Sequence, residues 1–217
     1  MRLFQHIIAA AVAALIGLPL SPSQAGAAAE AAPPNSTDAI SRGDLVAAAR
    51  IARERAEAGD TDEEHALALF YWHGVAITQN FQEAIRWSTL AAVSGHKKAF
   101  AAREQMLITL DPSLVQKAMD WSRARLIKSA EGGNDVALVS IADSYSARFG
   151  FENKTEAYFW SALAVSSGQT QARRQRDGLI AGLKQADLIK TQQKAADWFE
   201  RWRKPSSQVK TGVPGEH

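Results

Sequence analysis

Few residues in this 217-residue chain are spaced for chemistry, and each spacing names the reaction it could serve. Ser94-Gly95-His96-Lys97 reads Ser-x-x-Lys, as does the run from Ser207 to Lys210, and Lys210-Thr211-Gly212 stands beside the second. A serine with an amine one helical turn away can act as an activated nucleophile. That chemistry needs the serine at a helix start and the Lys-Thr-Gly on a strand, whereas Ser94 falls at the end of a helical pattern and the other fragment lies in a Pro/Gly tail. His65 and His73 stand eight residues apart with Glu64 beside the first, but imidazoles that share a metal on one helix are three or four apart. No third ligand is near, so no metal is expected. Arg173-Arg174-Gln175-Arg176 could grip a carboxylate, a phosphate or an anionic polymer; the plainer reading is a solvated helix face. With no glycine-rich phosphate loop, nucleophile elbow or zinc signature, neither a cofactor nor enzymatic activity is expected.

Composition narrows the classes further. There is no cysteine, which excludes thiol catalysis, thiolate metal sites, disulfides and a lipoprotein anchor. Arg2 followed by the apolar run from Leu3 to Leu20 reads as a leader, with small-x-small cleavage patterns at Ser23-Gln24-Ala25 and Ala25-Gly26-Ala27. The run is alanine-rich, contains Pro19 and has no charged stop, which favours a cleaved signal peptide over 1–25 rather than a retained anchor. The expected location is periplasmic or secreted, with no stable transmembrane span once the leader is removed. Lys and Arg total 25 against 23 Asp and Glu, a near balance that with export argues against nucleic acid as a partner. The charge is unevenly placed: residues 38–64 carry eight acidic and four basic side chains, residues 173–210 ten basic and four acidic.

The elements that must position any site are helical. The span 26–37, Ala-rich with Pro33-Pro34, reads as an unstructured spacer, 38–203 as the folded body and 204–217 as an unstructured tail. In 80–94, Phe81, Ala84, Ile85, Ser88, Ala91 and Ala92 share one face bordered by Trp87, while Gln82, Glu83, Arg86 and Thr89 point elsewhere. Asn80 to Glu83 and Asn153 to Glu156 have the spacing of capping boxes, Asp111-Pro112 starts another helix, and Gly95 and Gly168 sit where left-handed C-caps belong. Further helices are predicted over 43–58, 62–74, 97–110, 134–149 and 170–184, about nine in all, paired by short turns.

The chain also repeats itself. Residues 80–99 align with 153–172 at ten of twenty positions. Ala84 and Trp87, Ala118 and Trp121, Ala157 and Trp160, Ala195 and Trp198 each form an Ala-x-x-Trp pair, and the tryptophans are separated by 34, 39 and 38 residues. Positions i and i+3 share a helix face, so each pair sets a shallow spot beside an indole against which the next hairpin packs. Core packing therefore outweighs a sugar- or base-stacking platform for these rings, with Trp198 and Trp202 at the end of the array free to be partly exposed. The resulting architecture is an all-α solenoid of about four helical hairpins.

Leu69-Phe70-Tyr71, Gly74, Ile77, Asn80, Ala84, Trp87, Ala91-Ala92, Gly95 and Ala99 resemble the Sel1-like repeat, a hairpin related to tetratricopeptide units; the resemblance spans about 45–203. The segments around Trp160, Asp177-Gly178 and Trp198 are similar to the closing region of exported bacterial proteins of this kind. The departures are Ala76 for the second glycine of the turn, asparagine for aspartate at Asn80 and Asn153, and about one extra helical turn after Trp121. The stapling cysteines of relatives that bind β-lactams are absent, so that activity is not implied. The resemblance implies a scaffold for protein–protein interaction in the cell envelope, a periplasmic regulator holding another envelope protein or peptide. A peptidoglycan- or glycan-binding protein is the alternative, and a penicillin-recognising enzyme built on Ser94 the weaker one. The expected contact residues, on the first helices of the hairpins, are Tyr71, Trp72, Arg103, Tyr145, Arg173 and Arg174.

Overall fold

In the computed structural model the described residues are 35–202, and among them every regular element is helical. The leader, most of the spacer, the tail and the Lys210-Thr211-Gly212 fragment lie outside them. Ten α-helices follow in order: α1 (Ser36–Ser41), α2 (Leu45–Glu57), α3 (Thr61–His73), α4 (Phe81–Val93), α5 (Lys97–Leu107), α6 (Pro112–Glu131), α7 (Val136–Ser144), α8 (Lys154–Ser166), α9 (Arg173–Ile180) and α10 (Gln185–Trp202). The chain divides after Arg125, inside α6, into two compact units. In the first, α1 packs on α2, α2 on α3, α3 on α4 and α4 on α5; in the second, α8 packs with α7, α9 and α10. Each unit thus has the successive hairpin packing of an α-solenoid. No described helix is long and apolar enough to cross a membrane.

Local chemistry explains the boundaries. Side chains of Asp44, Asp60, Asn80, His96 and Asn153 cap α2, α3, α4, α5 and α8 by accepting first-turn backbone N–H groups. Five helix ends carry the same C-terminal clasp: after α4, for example, Gly95 N–H donates to the Ala92 carbonyl and His96 N–H to that of Ala91. After α8 the same bonds run from Gly168 to Val165 and from Gln169 to Ala164, with φ of 94° at Gly95 and 101° at Gly168.

Several expectations change in detail. Helix α1 starts at Ser36, two residues inside the span read as spacer, because the Asn35 side chain caps it and Glu63 Oε1 accepts the Ser36 N–H at 3.0 Å. It is the helix that raises nine to ten. The capping boxes are half made: Asn80 Oδ1 accepts the Glu83 N–H at 3.1 Å, but Glu83 turns outward to Arg86 at 2.6 Å. Asn80 N–H instead donates to the Tyr71 carbonyl, and Asn153 N–H to that of Tyr145, both at 3.0 Å, so the two repeat units share one inter-helix clasp. The helix predicted over 134–149 ends at Ser144 and resumes as one 3-10 turn, Ala147–Phe149; that over 170–184 opens with a 3-10 turn and stops at Ile180, short of Gly182. Phe81, expected on the apolar face, is 43 % exposed, and Thr89, expected outside it, is buried, because α4 is covered by both α3 and α5.

The alanine–indole pairs pack as their repetition predicts. Ala84, Ala118, Ala157 and Ala195 are buried, and Trp87 and Trp160 are each 6 % exposed. The Trp87 and Trp121 rings meet edge to face with centroids 5.2 Å apart, and Trp160 meets Trp198 in the same way at 5.8 Å. Trp198 then stacks on Trp202 at 5.5 Å, and both remain half-buried. Ala84, Ala118, Ile85 and Met106 share one buried cluster, so the small residues do admit a close neighbour.

Candidate functional site

A surface cleft of about 400 Å³ in the first unit is lined by Arg53 of α2, Tyr71 of α3 and the turn through Ala76, Ile77, Thr78, Gln79 and Asn80. Its walls are held from several sides. Asn80 N–H bonds the Tyr71 carbonyl, Gln79 Nε2 donates to the Trp72 carbonyl at 2.8 Å, and Gly74 N–H donates to that of Phe70. Gly74 has φ 66°, and a Cβ on it would lie 2.9 Å from the Gln79 Cβ, so the turn closes only over glycine. Ala76 is the one non-glycine described residue with positive φ, 59°, at the position where the Sel1-like pattern has its second glycine. Arg53 Nη2 donates to the Tyr71 hydroxyl at 3.0 Å, and its guanidinium carbon lies 5.8 Å from the centre of that ring. An exposed arginine and a half-buried tyrosine, itself packed against the cluster of Ala84, Ile85, Met106 and Ala118, are thereby joined at the cleft.

The other expected contact residues are distributed differently. Trp72 is half-buried against the α4–α6 cluster and meets Phe81 at 4.7 Å, which makes it a packing residue as much as a surface one. Arg103 is a correction: expected at the surface, it is 1 % exposed, with Nη1 bonded to Glu104 at 2.8 Å. Burial lowers its pKa from the ordinary guanidinium range while Glu104 opposes the shift. Tyr145 is half-buried where α7 ends, its carbonyl taken by Asn153. Arg173 and Arg174 are exposed on the first turn of α9, which buries none of its residues. Within the first unit the structure joins Tyr71 to Arg53 and ties the Trp72 carbonyl to Gln79 of the same cleft. Ser94 is the C-cap of α4, the wrong end of a helix for the nucleophile of a Ser-x-x-Lys enzyme.

Sequence reasoning missed a polar centre in the same unit. Three consecutive residues of α3, Glu63, Glu64 and His65, are buried, although acidic residues in a first helical turn ordinarily face water. Burial pushes the Glu64 carboxyl up to about 8, with Arg125 pulling it down and Asp60 pushing it further up. Arg125 connects several elements: it donates to the Ala56 and Glu57 carbonyls at the end of α2, at 3.2 and 2.7 Å, and lies 5.1 Å from the Trp87 ring and 5.7 Å from that of Trp121. His65 meets His96, 31 residues away, in a tilted ring contact with centroids 4.6 Å apart, and not His73. Burial, followed by the His96 and Lys98 charges, lowers His65 to about 4, so it is neutral near pH 7.

Around these imidazoles lies a second cleft, of about 370 Å³, lined by Ser36, Thr37, Asp62, Glu63, His65, Ala66, His96, Lys97 and Lys98. His96 Nδ1 accepts the Ala99 N–H at 2.9 Å, which leaves the proton of neutral His96 on Nε2, 3.1 Å from Asp62 Oδ1. No group of His, Cys, Asp and Glu among the described residues is arranged to hold a metal ion. No protein-family model, curated protein or solved structure matches the chain.

Proposed function

We propose that the chain is an exported scaffold of Sel1-like helical hairpins that binds another envelope protein, or a peptide segment of one, in the periplasm, and that it is not an enzyme. The observation that carries this reading is the Arg53–Tyr71 cleft, a hydrogen-bonded pair of two side-chain types enriched among residues that dominate interface energetics, on an otherwise all-helical frame. The packed tryptophan pairs, each with one buried and one half-buried ring, support it, since a repeat whose indoles are engaged in packing leaves recognition to the helix surfaces and turns. A peptide crossing this cleft would meet the Tyr71 ring, the guanidinium of Arg53 and the polar turn 76–80. A second reading, recognition of anionic cell-wall glycan or peptide, is favoured by Arg173 and Arg174, exposed and without an acidic partner among the described residues.

The test is photo-crosslinking in intact cells from position 71 of the full chain, with identification of adducts by mass spectrometry. One dominant protein adduct, lost in Arg53→Ala, is the expected result. Sedimentation of the purified chain with peptidoglycan, abolished by substituting Arg173 and Arg174 and not Arg53, would replace it with the second reading. Absence of a specific adduct at 71 and at 53 would end the proposal that this cleft is the recognition surface.

A further inference from the structure

The cleft around His65 has features that packing alone leaves unexplained. His65 is 4 % exposed and lines the cleft, yet neither ring nitrogen has a hydrogen-bond partner. A neutral imidazole carries one donor and one acceptor, and leaving buried polar atoms unpaired is unfavourable unless something else satisfies them. Glu63 Oε2 at the same cleft is likewise unpaired. The lining then offers charges of both signs: Asp62, its side chain 90 % exposed, and Lys97, exposed and with no acidic partner among the described residues. Glu63 is offset by Arg55, whose Nε lies 3.9 Å from its Oε1, which leaves exposed Asp62 against exposed Lys97 and Lys98; charges of both signs at one cleft disfavour a simple anion such as phosphate and a simple cation alike.

The geometry points to a binding site for a small zwitterion, a free amino acid or short peptide, whose ammonium engages Asp62, whose carboxylate engages Lys97, and whose polar backbone satisfies His65. The volume suits a molecule of that size. His96 is the cover: its ring is tilted against that of His65, centroids 4.6 Å apart, and is held by the Ala99 N–H on one side and Asp62 on the other. A ligand ammonium that takes the Asp62 carboxylate loosens this ring and opens the way to His65. The site uses none of the residues of the Arg53–Tyr71 cleft, so the two assignments stand or fall separately.

The test is a residue-resolved amide chemical-shift titration of the full chain with alanyl-alanine, using acetate and methylammonium as half-ligands. Saturable shifts at Thr37, His65 and Lys97 with the dipeptide are expected, with each half-ligand weaker by about tenfold or more, as loss of one charge-assisted contact implies. Asp62→Asn and Lys97→Ala, both at exposed positions, should each weaken dipeptide binding about tenfold, and Arg53→Ala should leave it unchanged. Acetate binding as tightly as the dipeptide, shifts indifferent to both variants, or no saturable shift in the cleft would each overturn the assignment.

Discussion

Replacing Trp87 by alanine tests the packing on which the hairpin reading rests. The indole is 6 % exposed, sits edge to face with Trp121 at 5.2 Å and has the Arg125 guanidinium 5.1 Å from its ring. Truncating a buried indole leaves a cavity and forfeits its transfer free energy, which together amount to about 3–5 kcal/mol. Of that, about 0.5–1.5 kcal/mol belongs to the aromatic pair, and the cation contact adds roughly 0.5–2 kcal/mol. Urea unfolding followed by circular dichroism should therefore show a midpoint shifted down with little change in slope. Trp121→Ala, at a half-buried ring, should lose less, and the double mutant should lose less than the sum of the singles by the coupling of the pair. A Trp87→Ala loss below about 1 kcal/mol, far under the cavity range, would show that this ring is not in the interior, and strict additivity would show that the rings do not touch.

Glu64 and His65 give opposite pH dependences. The folded Glu64 pKa of about 8 lies above its unfolded value, so its stabilising contribution is full below about 4.5 and is lost as pH rises through 8. The folded His65 pKa of about 4 lies below its unfolded value, so its contribution is full above about 6.5 and is lost as pH falls through 4. The slopes oppose between 4.5 and 6.5, and Glu64 acts alone from 6.5 to 8; Glu64→Gln should flatten stability in that upper window, as measured by urea midpoints. Gly74→Ala should lower stability by more than about 1 kcal/mol, because both its φ and the Gln79 contact resist a Cβ, while Ala76→Gly should leave it unchanged or raise it by up to about 1 kcal/mol by relieving a left-handed alanine. Thermal melts of the pair check both signs. Asn153→Ala should cost about 1 kcal/mol by uncapping α8.

Much of the frame was legible because its determinants are local and repeated. Ala-x-x-Trp announces a shared face at helical spacing, Asn80 and Asn153 announce caps, and Gly95 and Gly168 announce stops; each works within one or two turns of its own helix. A serine follows the tryptophan of each of the first three Ala-x-x-Trp pairs: Ser88, which the pattern places on the apolar face, Ser122 and Ser161 are all buried, satisfied by the carbonyls of Ala99, Ala118 and Ala157 respectively. Tyr71 was expected as a contact residue from its type and its helix; it is half-buried, packed like Trp72 against the α4–α6 cluster, and its partner Arg53 comes from the preceding helix, eighteen residues earlier, with nothing in the spacing to join them. Arg103 was misread because arginine is seldom buried and one helix cannot reveal what covers it.

All the helices but α1, their approximate boundaries and the indole register thus follow from the order of residues alone, since backbone hydrogen bonding and side-chain periodicity act over a few positions. Which polar groups leave water was decided only by tertiary packing. Glu64, His65 and Arg125 acquire their environments from helices that meet after long intervening segments, and desolvation depends on everything that surrounds a group rather than on its neighbours in sequence.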